Sequence, residues 1–204
     1  GLFAEYFDVA IYDGCERVDA LLAMGSDSTA AALRQKYADI PKLLRASRSS
    51  VAVLSGGETA EELDALCRDI TMYDGRGCRN VSQLLVSEGY DISPLAEAMA
   101  RTEVSVRWMN VYRHQRALLG MSGAEFVDGR KVVILRSEEA PMNLATLHYS
   151  TEDAASWLAV HDSKIQCVVG SISHPRAVPF GRSQYPTLTD YPDGVDTMNF
   201  LQSI

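Results

Sequence analysis

Residues 74–82 read D-G-R-G-C-R-N-V-S, with Cys78 set between Arg76 and Arg79 directly after a glycine pair. The thiolate is the nucleophilic form of cysteine, and a free thiol of pKa about 8.5 is only a few per cent ionised at neutral pH. Two neighbouring guanidinium groups favour the thiolate, and the glycines let the backbone come close to a substrate carbonyl. This is a pattern suited to a nucleophilic cysteine. A loop cysteine without function is the alternative, and the local residues leave both readings open.

Gly25-Ser26, after an apolar run, forms a second candidate. A helix that starts here offers free N–H groups and a positive dipole end, which suit a phosphate or a ribose. No G-x-G-x-x-G fingerprint is present, so on these residues alone a plain strand-to-helix connection is the better reading. Four histidines, His114, His148, His161 and His174, could each act as a base toward Cys78, as in a cysteine hydrolase. Nothing local selects one: His148, in L-A-T-L-H-Y, reads as a satisfied structural histidine and the others as surface residues. Glu138-Glu139 reads as a solvated turn rather than an acid/base pair. The cysteines, Cys15, Cys67, Cys78 and Cys167, include no C-x-x-C pair and none at metal-ligand spacing from a histidine, which argues against zinc and for reduced thiols.

The elements that must position these groups follow from patterning. Residues 18–24 (V-D-A-L-L-A-M) read as a strand, G-S-D-S-T as a turn, and A-A-A-L-R-Q-K-Y as a helix with Asp27 or Ser28 as its cap. Residues 51–54 read as a buried strand. Thr59 and Glu62 then fit a capping box, and Leu63, Leu66, Cys67 and Ile70 share one face of the helix that follows. That spacing assigns Cys67 to the core, while Gly75 and Gly77 end the helix and leave Cys78 in the loop before a strand at 81–86. Ser93-Pro94 is a cap and first-turn signal, and 104–119 reads as a longer helix. Strands are expected at 131–135, 143–149 and 165–171, with a helix at 151–161. The segment from His174, which holds four of the seven prolines, reads as an extended, ordered tail. Strands alternating with helices predict an α/β fold with a largely parallel sheet.

Composition agrees with a folded chain. At 204 residues it can bury roughly 70% of its unfolded surface, and 47% hydrophobic with 23% charged residues leaves no disordered signature. A net charge of −8 without a basic run argues against nucleic acid or an anionic membrane as partner. No apolar run has the roughly 20 residues needed to cross a bilayer, and the expectation is a cytoplasmic protein without membrane insertion. The chain opens with Gly1 rather than methionine and is expected to be part of a longer protein.

Taken in order, A-M-G-S-D-S-T, V-A-V-L-S-G-G-E-T, Y-D-G-R-G-C-R-N-V-S and P-F-G-R-S-Q-Y-P-T-L-T-D-Y-P-D-G-V-D-T-M-N-F-L resemble the acyl-CoA reductases of the LuxC type, within the aldehyde dehydrogenase superfamily. The resemblance runs from about Val18 to Leu201. It implies an aldehyde dehydrogenase-like catalytic domain, 58–204, joined to the C-terminal part of a Rossmann-like nucleotide-binding domain, 1–57.

By the same resemblance, Cys78 stands at the nucleophile, which takes an acyl group from coenzyme A or an acyl carrier protein before hydride arrives from NADPH or NADH. Arg76 and Arg79 would lower its pKa or attract substrate phosphates, and the Cys78 N–H would face the developing oxyanion. Gly25, Ser26, Glu139 and Phe180 are expected at the dinucleotide, Phe180-Gly181 matching the P-F-G block that closes the catalytic domain, and a homodimer is expected. The glutamate base of hydrolytic relatives, in E-L-G-G, is matched by Leu54 in L-S-G-G. Without it water is poorly activated and the acyl-enzyme survives to be reduced. An amide side chain that completes the family's oxyanion hole would lie upstream of Gly1. The rival readings are a cysteine hydrolase using Cys78 and a histidine, and a truncated, non-catalytic fragment.

Overall fold

The structure, a computed structural model, describes residues 10, 17–137 and 144–204. The chain divides into two compact units, 1–46 with 196–204, and 47–195. The strand that precedes Gly57 belongs to the second unit's sheet.

In the first unit, β1 (Leu21–Met24) pairs in parallel with β2 (Lys42–Arg45), and α1 (Asp27–Lys36) crosses between them. The cap of α1 is Ser26, one residue earlier than expected: its hydroxyl accepts the Thr29 N–H at 3.2 Å, and Asp27 is already helical. The last helix, α6 (Thr197–Gln202), belongs to this unit, and Arg45 donates to Thr197 Oγ1 at 2.6 Å.

The second unit is a seven-stranded sheet. Its strands are β3 (Ser49–Leu54), β4 (Val81–Val86), β5 (Val127–Asp128), β6 (Val133–Arg136), β7 (Thr146–Ser150), β8 (Ile165–Val169) and β9 (Ala177–Val178), in the order β5-β6-β7-β4-β3-β8-β9. All pairings are parallel except β5 with β6. Strands β3, β4 and β8 are buried almost throughout, as parallel strands covered on both faces must be.

Four helices cover the sheet: α2 (Ala60–Thr71), α3 (Ser93–Arg101), α4 (Val106–Ser122) and α5 (Ala154–His161). The larger core cluster joins Leu66, Cys67 and Ile70 of α2 with Leu95 and Met99 of α3, Trp108 of α4 and Leu84 of β4. A second cluster packs Trp157 and Leu158 of α5 on Val51, Leu85 and Val168. Both halves of the Thr59–Glu62 capping box form. Ser93 is the first residue of α3 rather than its cap; the Asp91 carboxylate takes its N–H. The tail from His174 is not extended throughout, since it contributes β9, a turn at Pro192–Gly194 and α6.

Candidate active site

Cys78 lies at the amino end of β4, in a tight turn closed by the Asn80 N–H donating to the Gly77 carbonyl at 3.0 Å. It is exposed, whereas Cys67 and Cys167 are buried. Upstream, α2 ends in a 3-10 turn, Met72–Gly75, where Tyr73, Asp74 and Gly75 all have positive φ. Gly75 is required twice: its φ is +68°, and a Cβ there would stand 2.8 Å from the Trp108 ring.

Asn80, 4% exposed, holds the turn in place. Its Oδ1 accepts the Gly77 N–H at 2.8 Å. Its Nδ2 donates to the carbonyls of Asp69 at 2.9 Å, Ile70 at 3.2 Å and Met72 at 2.9 Å. One amide thus satisfies the open carbonyls at the end of α2 and fixes the residue before Cys78.

On the sheet side Ser50, fully buried, donates to the Cys78 carbonyl at 3.0 Å and accepts the Cys167 N–H at 3.2 Å. Cys167 Sγ is 3.0 Å from the same hydroxyl oxygen. With the hydroxyl proton on the Cys78 carbonyl, the Cys167 S–H is the donor to Ser50. Burial pushes the Cys167 pKa up, in keeping with a protonated thiol, although Arg79 works in the opposite direction.

The P-F-G-R-S-Q block reaches this turn from the far end of the sheet. Phe180 lines a small pocket with Val53, Ser55, Glu58 and Ser171, at the carboxyl end of β3. Ser50 and Leu54, at opposite ends of that strand, are about 13 Å apart at 3.3 Å per residue, so the structure does not bring Phe180 to Cys78. The chain then turns back along α2. Gly181 has φ +77°, and a Cβ there would crowd that of Ala65 at 3.0 Å. The buried carboxylate of Asp69 receives the N–H groups of Gly181 at 2.6 Å and Ser183 at 3.0 Å, and the Ser183 hydroxyl at 2.7 Å. Burial raises the Asp69 pKa against these bonds, which favour the charged form.

Arg79 completes the junction, donating to the carbonyls of Ser183 at 3.3 Å and Asp190 at 3.5 Å. Its guanidinium is therefore engaged with the tail, while Arg76 is exposed. A cavity of about 180 Å³ opens beside it, lined by Arg79, Cys167, Arg176, Asp190 and Tyr191 among others.

Leu54 is buried in the core, and the loop after it carries a carboxylate of its own. Glu58 accepts from the N–H groups of Ser55 and Gly56, the Ser55 hydroxyl and the Tyr90 hydroxyl. Burial opposes its charge, but these bonds outweigh burial and hold the carboxyl below its usual range.

In the first unit Gly25 and Ser26 form the turn into α1. A Cβ on Gly25 would stand 2.8 Å from Thr29 Cγ2, so the turn needs glycine for its own packing. Ser26, Ser28 and Thr29 gather hydroxyls at the helix start, with Asp27 in the first turn. This set fits a neutral amide or a ribose hydroxyl, whereas the Asp27 carboxylate opposes a phosphate. Glu139 lies outside the described residues, as do Glu138 and Cys15.

The histidines are placed elsewhere. His161 stacks on Trp157 and bonds its carbonyl; His174 Nδ1 accepts the Arg176 N–H; His114 is exposed on α4. His148 is buried in β7, but it is not satisfied: neither ring nitrogen has a hydrogen-bond partner, and burial lowers its pKa to about 4. Among the described residues no helix is long and apolar enough to cross a membrane.

The sequence reading missed Asp69 and Asn80. The signal for Asp69 was present, because it occupies the apolar face of α2 three residues after Leu66, where a carboxylate must find buried donors.

No protein-family model matches the chain, and no curated protein matches it by sequence. Solved structures do match. A salicylaldehyde dehydrogenase from Pseudomonas putida G7, complexed with salicylaldehyde, gives a TM-score of 0.58 at 14% identity over 83% of this chain. An indole-3-acetaldehyde dehydrogenase complexed with NAD+ gives 0.54 at 16% identity over 83%. An NAD-dependent aldehyde dehydrogenase from Sinorhizobium meliloti gives 0.53 at 14% identity over 92%. The chain spans less than half of each neighbour, 41%, 45% and 42%. The α/β architecture is that of the aldehyde dehydrogenase fold over the part they share.

Proposed function

We propose that this chain is the thioester-handling part of an acyl-CoA reductase of the LuxC type, its catalytic domain together with the end of a nucleotide-binding domain. The observation that carries this reading is Cys78: the exposed thiol among the described cysteines, on a turn pinned by Asn80 and Ser50. Holding the turn from both sides fixes the thiol before substrate arrives, which lowers the entropic cost of attack.

Cys78 would attack a fatty acyl thioester of coenzyme A or an acyl carrier protein. The Cys78 N–H would stabilise the oxyanion, and the leaving thiolate would take up the proton that Cys78 releases. Arg76, exposed beside the turn, would attract the donor's phosphates, and Arg79 adds positive charge while fastening the tail. Gly25 and Ser26 would hold the amide or ribose edge of a nicotinamide dinucleotide, NADPH or NADH, whose chemistry when bound is hydride donation to the thioester carbon. Leu54 in place of a general base would leave the acyl-enzyme intact for that transfer. Glu58 is committed to Ser55, Gly56 and Tyr90 and is poorly placed to activate water.

No hydrogen bond among the described residues joins a histidine to Cys78, which weighs against the hydrolase reading. Intact-mass measurement after incubation with a long-chain acyl-CoA tests the proposal. An adduct mapped to Cys78 and discharged by NADPH supports it; an adduct that NADPH leaves in place limits the chain to acyl transfer; its absence favours a non-catalytic fragment.

A further inference from the structure

The amino end of a helix carries a partial positive charge, so acidic side chains stabilise it and basic ones weaken it. The helix α4 departs from this rule. Arg107 stands in its first turn, that turn has no acidic residue, and the whole helix carries Arg107, Arg113, His114 and Arg116 without one carboxylate. Residues 101–136 hold seven basic and three acidic residues in a chain whose net charge is −8. Arg116 is paired with Asp128. Among the described residues Arg107 and Arg113 have no ion pair, and Arg113 reaches only Asn110 of its own helix, at 3.4 Å. A local rule broken with no structural gain points to a function.

The inward side of α4 is fixed beside the Cys78 turn. Ser105 caps the helix, accepting the Trp108 N–H at 3.0 Å and donating to the Asp74 carboxylate at 2.6 Å. Trp108, buried, donates to the Lys131 carbonyl at 2.6 Å, and its ring lies against Gly75. The outward side keeps Val106 at 78% and Met121 at 86% exposed, with Leu118 between them in the chain. Arg107, His114 and Met121 recur every seven residues and so form one line along the helix. This face starts at the Cys78 turn and runs for about 25 Å, the length of 17 helical residues.

Arginine and methionine are enriched in protein interfaces, and unpaired guanidinium groups suit an acidic partner. The phosphates of free coenzyme A are too compact to cover a face of this length. A two-fold contact of α4 with itself would set arginine against arginine, which weighs against a second copy. We infer that the outward face of α4 docks an acidic carrier protein that delivers an acyl thioester to Cys78; this rests on the acyl-transfer reading above. Docking there concentrates the thioester at the turn where the helix begins. Cys78 Sγ bonds to the acyl carbon, the bond from that carbon to the carrier's sulfur breaks, and the sulfur takes up the proton that Cys78 releases.

The test compares two donors of the same long-chain acyl group, acyl carrier protein and coenzyme A, by the rate at which each acylates Cys78. The proteins are wild type and the double variant Arg107→Glu with Arg113→Glu, both changes being on exposed side chains, with folding checked by thermal melts and oligomeric state by light scattering. Transfer from the carrier protein at low concentration should fall roughly tenfold or more in the variant, and in wild type as salt is raised, while transfer from coenzyme A is unchanged in the variant. Unchanged transfer from the carrier protein overturns the docking face. An equal fall with coenzyme A also overturns it, because the arginines then bind the phosphates of the small donor. A variant that changes oligomeric state with transfer intact assigns the face to a second copy instead. Wild type acylated by coenzyme A but not by the carrier protein removes the carrier and leaves Cys78 as nucleophile; wild type acylated by neither removes the acyl-transfer reading, and the docking face with it.

Discussion

Asp69 and Asn80 are joined through the main chain: Asn80 Nδ2 donates to the Asp69 carbonyl at 2.9 Å, while the Asp69 carboxylate binds Gly181 and Ser183. One residue of α2 therefore faces the Cys78 turn with its backbone and the tail with its side chain. Asp69→Ala should leave three donors without their acceptor and destabilise the fold by about 3 kcal/mol. Urea denaturation measures the loss, and limited proteolysis should show new cleavage in the segment after Val178. A stability change below about 0.5 kcal/mol would mean that water replaces the carboxylate.

Asn80→Ala removes the acceptor of the Gly77 N–H and the donor to three carbonyls. The expected cost is about 2–4 kcal/mol. The acylation of Cys78 should fall further than in Thr59→Ala, a cap variant expected to lose about 1 kcal/mol at the other end of the same helix. Equal effects of the two on acylation would show that Asn80 acts through global stability alone.

The thiols should separate by reactivity. Cys78 is exposed, while burial pushes the Cys67 pKa up to about 11 and also raises that of Cys167. In native protein at pH 8, Ellman's reagent should modify Cys78 within the fast phase, and Cys67 and Cys167 only on unfolding. Peptide mapping of the fast product checks this, and Cys78→Ser should remove that peptide from it.

His148 makes stability depend on pH. Its folded pKa, about 4, lies below the ordinary 6.5, so between these values the unfolded chain binds more protons and stability is lost as pH falls. From pH 7.5 to pH 5 this amounts to about 2 kcal/mol, and it is complete below pH 4. Urea titrations at the two pH values should show the loss in wild type and a reduced loss in His148→Leu. An identical pH dependence in the variant would assign it to other groups.

Gly75→Ala should be among the costlier single-methyl changes, about 2–4 kcal/mol, since it combines a positive φ with a close approach to Trp108. Gly89→Ala is the control: its φ of +78° is comparable, but nothing lies within 4 Å of the added Cβ. Thermal melts that rank the two variants equally would locate the cost in the backbone rather than in the contact.

Local rules made much of the second unit legible. The Thr59–Glu62 box needs only i and i+3, and the face that buries Leu63, Leu66, Cys67 and Ile70 is a periodic signal. The contrast between Cys67 and Cys78 followed from the helix stop at Gly75 and Gly77. What stayed hidden depends on distant pairing. That residues 51–54 close a central strand of the larger sheet, rather than end the first unit, is decided by β4 and β8. Partners of Asp69 lie 112 and 114 positions downstream, beyond any spacing rule. His148 read as satisfied because buried histidines usually are; its neighbours in the sheet, Gln83 and Leu135, supply it with no bond.

The return of the tail along α2 also sets an order of maturation. At about 10 residues per second, Ser183 leaves the ribosome roughly ten seconds after Asp69. For that interval α2 carries a carboxylate on its apolar face without donors, and Arg79 lacks the carbonyls that anchor it. The sheet can begin to assemble, but the turn that holds Cys78 acquires its final shape only after the segment with Ser183 has emerged.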